Sequence, residues 1–294
     1  MYNTVKDRLI TWVTQYPIPH HLFSKGMHAI TRCKIKPFKN FLIKQAIKIL
    51  KIDMSIALRP DINAYENFNA FFTRPLKSEA RPFVSDTTEL GCPVDGAISQ
   101  IGKIEGGDIF QAKNYTYDLV TLLGGSQKRA QPFIDGSFTT IYLSPRDYHR
   151  IHMPVKGELL EMVHVPGRLF SVSPRTTENI PGLFARNERV VALFATEYGP
   201  MAMILVGAIF VGSIDTVWAG NIAPRKGDLV RVWDYRYHHK DIEPIVLDKG
   251  DEMGRFNMGS TVILLFGKDA IEWNQALQAG SPVKMGELLA NEKA

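Results

Sequence analysis

Only two cysteines, Cys33 and Cys92, occur in 294 residues. That is too few for a disulfide framework, and it points to a reducing compartment. Long apolar runs are also missing. The nearest approach, YGPMAMILVGAIFVGSI at 198–214, is interrupted by Pro200, Gly207 and Gly212. Its pieces, MAMILV and AIFV, read as neighbouring buried strands and not as a membrane span. The opening MYNTVKDRLITWVTQYP sets Lys6, Asp7 and Arg8 among its apolar residues, so no secretory leader is expected there. There is no Gly-x-Ser-x-Gly elbow, no His-Glu-x-x-His, no long repeat and no low-complexity tract. These gaps weigh against a serine-elbow hydrolase, a zincin and a solenoid.

What is present describes a globular chain, with 45% hydrophobic and 22% charged residues. It is long enough for one large domain, or for a domain with an attached subdomain. The net charge of +5 is unevenly spread: the first 60 residues hold 11 Lys/Arg against Asp7 and Asp53, which leaves the rest mildly acidic. A basic arm of this kind suits nucleic acid or an anionic membrane face, and charge alone does not choose.

The arm has a helical rhythm. Pro37 fits a first helical turn, and Phe38, Phe41, Leu42, Ala46, Ile49 and Leu50 follow at three- and four-residue steps, with Lys44, Lys48 and Lys51 on another face. Such a helix either lies on a bilayer interface or docks on its own core with its lysines in water. A second helical stretch is expected over YENFNAFFTRPL, and the helical part closes near Pro82. From about residue 90 short alternating or apolar runs such as SFTTIYLS and ERVVALFATEYGP alternate with glycine-bearing turns. The expected fold is therefore α+β: N-terminal amphipathic helices over 1–85, then a mainly antiparallel β sandwich or barrel over 86–294. The closing AGSPVKMGELLA resembles a strand-turn-strand of biotinyl-type barrel-sandwich modules.

Three stretches carry candidate chemistry. In YLSPRDYHRIHMPV, Ser144, Pro145 and Asp147 have the form of a helix start, so a helical turn to about His152 puts His149 and His152 on one face. A plain pair of surface or core histidines is the alternative. A metal site using these histidines with Asp95 or Cys92 ranks lower, for want of a second ligand cluster at metal spacing. The adjacent pairs His20–His21 and His238–His239 sit in polar surroundings and carry no site. In GCPVDGAIS, Asp95 lies among apolar and small residues, where a carboxylate needs a partner or caps a turn. In FNMGSTVILLF, a Gly-Ser-Thr triplet abuts a run fit for a buried strand, so Ser260 is either part of a turn or a nucleophile at a rigid edge. Together the three stretches admit an Asp-His-Ser relay.

The blocks VDG, YLSPRDYHRIHMP, VPGRLFSV, FARNERV, VGSIDTVWAG and GDEMGRFNMGSTV, in this order over nearly the whole chain, resemble bacterial phosphatidylserine decarboxylase. Met258 stands where the family usually has Leu, and Val94 where it has Ala, both apolar exchanges. The resemblance implies a self-processing carboxy-lyase. By that resemblance Ser260 is expected to attack the carbonyl of Gly259, with His152 as base and Asp95 orienting it. The chain parts between 259 and 260, and Ser260 becomes a covalent pyruvoyl cofactor. Glycine at 259 leaves that carbonyl open and its backbone free to strain. The pyruvoyl carbonyl then forms a Schiff base with phosphatidylserine, which loses CO2 to give phosphatidylethanolamine. His149 is the candidate proton donor or carboxylate contact, and Ser171 and Val172 the candidate substrate or oxyanion contacts.

The resemblance further implies that the two products, 1–259 and 260–294, remain a heterodimer, with assembly beyond that left open. It implies a peripheral place on the cytoplasmic face of the cell membrane, with the basic arm meeting anionic lipid and not nucleic acid, and no metal. The rivals are an uncleaved Ser-His-Asp lipid esterase and a non-catalytic lipid binder.

Overall fold

The computed structural model describes residues 4–17, 20–112, 115–209, 213–223, 227–236, 243–257 and 260–293. Three helices open it: α1 (Val5–Gln15), α2 (His20–Thr31) and α3 (Lys36–Leu50). A capping box starts α1, with Thr4 Oγ1 accepting from Asp7 N and the Asp7 carboxylate accepting from Thr4 N. Pro37 sits in the first turn of α3, where its missing N–H leaves no bond unmade.

The docked and bilayer-facing readings of α3 both hold, for different faces. Ile43 is wholly buried and packs, with Ala46, Ile47 and Leu50 beside it, against Tyr65 and Phe71. On the other side Phe38, Phe41 (58% exposed) and Ile49 (71%) stand in the open, interleaved with Lys44 and Lys48. Exposed Val5, Leu9, Trp12 and Val13 give α1 a similar outward face. No helix among the described residues is long and apolar enough to cross a membrane. A short helix, α4 (Phe68–Phe72), capped by the Asn67 side chain accepting from Ala70 N, links the arm to the body.

Strands begin with β1 (Glu89–Gly91), β2 (Gly96–Lys103), β3 (Asp108–Ala112) and β4 (Tyr115–Asp118). Next come α5 (Leu119–Leu122), α6 (Gln127–Ala130), β5 (Ser137–Leu143), β6 (Arg150–His152) and β7 (Gly157–Val165). After α7 (Pro174–Thr177) and α8 (Leu183–Arg186), β8 (Arg189–Thr196) and β9 (Gly199–Val206) pair as a hairpin, so MAMILV is a strand as expected, whereas Ala208 and Ile209 of AIFV are not in a strand and Phe210 and Val211 lie outside the described residues. Then follow β10 (Ile214–Thr216), β11 (Gly220–Ala223), β12 (Arg231–Asp234), β13 (Val246–Leu247), β14 (Glu252–Phe256) and β15 (Ser260–Phe266). β16 (Ile271–Trp273), β17 (Pro282–Val283) and β18 (Leu288–Glu292) close the chain.

The main sheet is antiparallel and open, not a closed barrel, in the order β12-β7-β8-β9-β15-β5-β2-β17, with β13 also on β7. Smaller sheets, β11-β10-β14-β6 and β1-β18-β16, cover one face; the β3–β4 hairpin and short helices cover the other. β15 runs centrally between β5 and β9 and is buried along its length because it feeds two cores. Val262, Leu264 and Phe266 enter the core shared with Ile151, Met253 and Phe256, while Ile263 and Leu265 enter the one shared with Leu122, Phe170 and Phe184. At the C-terminus the expected strand-turn-strand is not a self-contained module, since β17 pairs with β2 and β18 lies between β1 and β16.

Candidate active site

Ser260 is the first residue of β15, opposite Leu143 on β5, and it is completely buried. Its hydroxyl has no hydrogen-bond partner among the described residues, and neither has that of Thr261. An unsatisfied buried hydroxyl costs on the order of 1–3 kcal/mol. A core strand gains nothing by that, so the position calls for a chemical reason. Met258 and Gly259 lie outside the described residues, as do His238 and His239. The arm before them is held at Asn257, which is buried. Its N–H donates to Ser213 O (2.9 Å), its Oδ1 accepts from Asn69 Nδ2 (2.8 Å), and its Nδ2 donates to Ser213 Oγ.

The expected helical turn over 145–152 does not form. Asp147 does reach back, its Oδ2 accepting from Ser144 N at 2.7 Å, but the chain turns there and enters β6, which pairs with β14. Cross-strand bonds to a segment some hundred residues away outweigh a helix of two turns. His149 and His152 therefore do not share a face. His149 carries its ring against Phe72, centroids 4.1 Å apart, and its Nδ1–H donates to Asp147 O at 2.8 Å. His152 donates from Nδ1–H to Gly250 O (2.7 Å) and accepts at Nε2 from the Tyr148 hydroxyl (3.0 Å).

These bonds fix both tautomers, with Nδ1 protonated and Nε2 carrying the lone pair. In His149 that lone pair is buried and has no partner among the described residues. Burial pushes the His149 pKa down to about 3, and the nearby Arg74 charge adds to the shift against the Asp147 carbonyl. Burial also lowers His152, opposed by the Gly250 carbonyl and Glu252. Both imidazoles are thus neutral bases at neutral pH. Burial raises the Tyr148 phenol well above its ordinary value, so it remains a donor to His152. Cys92 is likewise buried, its thiol pushed up to about 12, which leaves it unreactive.

Asp95 is not bonded to His152. Arg81 grips it with two bonds, Nε to Oδ1 at 2.9 Å and Nη2 to Oδ2 at 2.6 Å, and Met285 N donates to Oδ1 at 2.9 Å. A planar guanidinium matches a carboxylate edge better than an imidazole does, which explains the exchange of partner. The two segments are nonetheless adjacent, since His152 N donates to Pro93 O at 2.9 Å. Among the described residues no group of three or more His, Cys, Asp or Glu gathers at metal-binding spacing.

Ser171 and Val172 lie before α7, and here too one donor is engaged. Ser171 N donates to Gln15 Oε1 of α1 at 2.9 Å, and Tyr16 packs on Phe170. The Val172 N–H has no partner among the described residues, and Val172 lines a cavity of about 540 Å³ with Tyr142, Ile98 and Phe110. Tyr142 stands directly across from Thr261 on the adjacent strand, which brings that cavity near the start of β15.

Comparison with known proteins decides the family. A family model for phosphatidylserine decarboxylase matches residues 68–291, and a second, named PSD, matches residues 10–49. Phosphatidylserine decarboxylase proenzymes of Bordetella petrii and Pseudomonas fluorescens are each 54% identical to the chain. The matches cover 98% and 96% of it and 99% and 97% of those proteins. That of Ectopseudomonas mendocina is 53% identical over 287 residues. The chain belongs to the phosphatidylserine decarboxylase family. In this member of the phosphatidylserine decarboxylase family, the residues found beside the candidate site include several that the sequence did not single out: Arg74, Arg81, Tyr148, Asn257 and Gln15. Arg74 and Arg81 each precede a proline, which biases them toward extended backbone, but nothing local names their partners.

Proposed function

We propose that the protein is a phosphatidylserine decarboxylase made as a proenzyme that cuts itself between Gly259 and Ser260. The family match over nearly the whole length carries this reading and leaves the esterase and the passive lipid binder without support. The unpartnered, wholly buried Ser260 hydroxyl gives it a chemical anchor.

In the maturation step Ser260 Oγ attacks the Gly259 carbonyl. The peptide C–N bond breaks as an ester forms. His152, with its lone pair on Nε2, takes the hydroxyl proton after exchanging the Tyr148 hydroxyl for that of Ser260. Gly250 O keeps that tautomer in place, the task first given to Asp95. For Asp95 to join the relay, its carboxylate, now bonded to Arg81 and Met285 N, must reach His152, whose Nδ1–H already donates to Gly250 O. β-Elimination then frees the Gly259 carboxylate and leaves dehydroalanine, which hydrolyses to a pyruvoyl group and ammonia.

Residue 260 fits this group: a serine Cβ bears a leaving oxygen, and among the described residues no neighbour holds that oxygen in place. The group supplies a carbonyl that accepts the substrate amine and draws off the electrons of the breaking C–C bond. Around it the chain's own residues act on protons and water. His149 offers a bare Nε2, so it must first take a proton before it returns one to the substrate carbon. Phe72 packs on that imidazole, which is wholly buried. The unengaged Val172 N–H, with Ser171 beside it, provides a contact for a developing negative oxygen.

The two products stay together as a heterodimer because the small one is threaded through both layers: β15 lies between β5 and β9, β17 on β2, and β18 on β1. The helical region over 1–85 meets the cytoplasmic face of the cell membrane through the outward Phe, Trp, Leu and Lys side chains of α1 and α3. The test is decarboxylation of phosphatidylserine vesicles. Carbon dioxide release that stops when borohydride plus substrate reduces the enzyme supports the reading. Release indifferent to that treatment opposes it.

A further inference from the structure

Arg74 is a buried cation with no bonded anion among the described residues; Asp95, near enough to act on it electrostatically, is already gripped by Arg81. Arg74 is 3% exposed, its Nε has no partner, and no carboxylate or carbonyl bonds its guanidinium among the described residues. The group lies over the Phe71 ring, 5.4 Å from the centroid, which offsets only a small part of the desolvation cost. The other buried cations among the described residues have acceptors, Lys39 in Asn40 Oδ1 and Ile62 O and Arg189 in four backbone carbonyls, and the half-buried Arg81 is paired with Asp95. Arg74 instead lines a cavity of about 250 Å³ between the end of α3 and the body, together with Lys51, Arg81, Asp95, Arg146 and Tyr148. The cavity adjoins the site, since Tyr148 bonds His152 and the residues just before Arg74 hold His149 and Arg150. It also adjoins the lysine-bearing end of α3, the side from which a lipid arrives.

We propose that Arg74 and this cavity form the subsite for the phosphodiester of the substrate headgroup. An unpaired guanidinium with planar donors is suited to phosphate oxygens, which pay back its desolvation. Of the two anions on a serine phospholipid, the carboxylate is the wrong occupant. It leaves as neutral carbon dioxide, so a cation that held it in the ground state would oppose the reaction. The phosphodiester keeps its charge throughout and gains from a fixed cation. The inference rests on the decarboxylase reading and adds the residue that receives the headgroup.

Full-length matured protein and vesicles of phosphatidylserine in phosphatidylcholine provide the test. Arg74→Gln is expected to mature to the wild-type extent and to unfold no earlier than wild type, because an unpaired buried charge is gone. Its KM is expected to rise at least tenfold with a smaller change in kcat, and Arg74→Lys to recover part of the loss. Soluble glycerophosphoserine is expected to compete with vesicles for wild type and not for Arg74→Gln. A wild-type KM in Arg74→Gln overturns the assignment, as does competition by inorganic phosphate with none by glycerophosphoserine. If wild type neither cleaves nor decarboxylates, the functional reading fails by itself. Calorimetry on Ser260→Ala then still reads the subsite, with glycerophosphoserine binding expected there and lost in Ser260→Ala/Arg74→Gln; equal binding in the two sinks it.

Discussion

Phe72 of α4 lies against His149, ring centroids 4.1 Å apart, so a residue of the helical arm covers a buried base of the body. That contact has a consequence for stability. The His149 pKa is about 3 in the folded protein and about 6.5 when unfolded, so between those values the unfolded chain takes up a proton that the folded one refuses. The contribution is full above pH 6.5 and is lost as pH falls, at about 1.4 kcal/mol per pH unit. Urea unfolding between pH 7 and pH 5 measures it. The slope is expected to be shallower in His149→Phe than in wild type, and equal slopes would show the imidazole to be hydrated.

The two histidines have separate surroundings, so their losses are expected to separate. His152→Ala arrests maturation, leaving an uncut chain. His149→Ala matures but turns over at least a hundredfold more slowly, in the range of a lost general acid–base group. Fragment analysis beside vesicle turnover reads both, and the opposite pattern would exchange the two roles.

Asp95 and Arg81 test whether the carboxylate serves the relay or only its arginine. Asp95→Asn leaves a nearly buried guanidinium unpaired and is expected to cost roughly 3–5 kcal/mol in stability. Arg81→Met releases the carboxylate toward His152. If Asp95 acts in the relay, Arg81→Met matures at or above the wild-type rate while Asp95→Asn stalls. Equal slowing of both would make the pair structural.

The exposed stripe of α3 predicts a lipid effect that the core does not share. Replacing Lys44, Lys48 and Lys51 with glutamate is expected to weaken sedimentation with anionic vesicles by about tenfold or more, since each basic residue near such a surface contributes about 1 kcal/mol. Unchanged sedimentation would remove α3 from the membrane contact.

Local signals carried far in this chain. Pro37 and the apolar spacing marked α3, and the VILLF run marked β15, because helix starts and buried strands are set by residues close in sequence. The His149–His152 geometry was misread because β6 exists only through β14, a hundred residues on. Asp95 gave no sign of Arg81, nor Ser171 of Gln15 across 156 positions, for those partners meet only after the sheets have formed. Arg74 was invisible for a further reason: what distinguishes it is the lack of a hydrogen-bonded partner among the described residues.

Denaturing mass spectrometry of freshly purified wild-type protein tests the central claim most directly. The account predicts two species, residues 1–259 and a fragment from position 260 that begins with a pyruvoyl ketone in place of serine. A single intact chain, with Ser260 unaltered and phosphatidylserine still being decarboxylated, would contradict it.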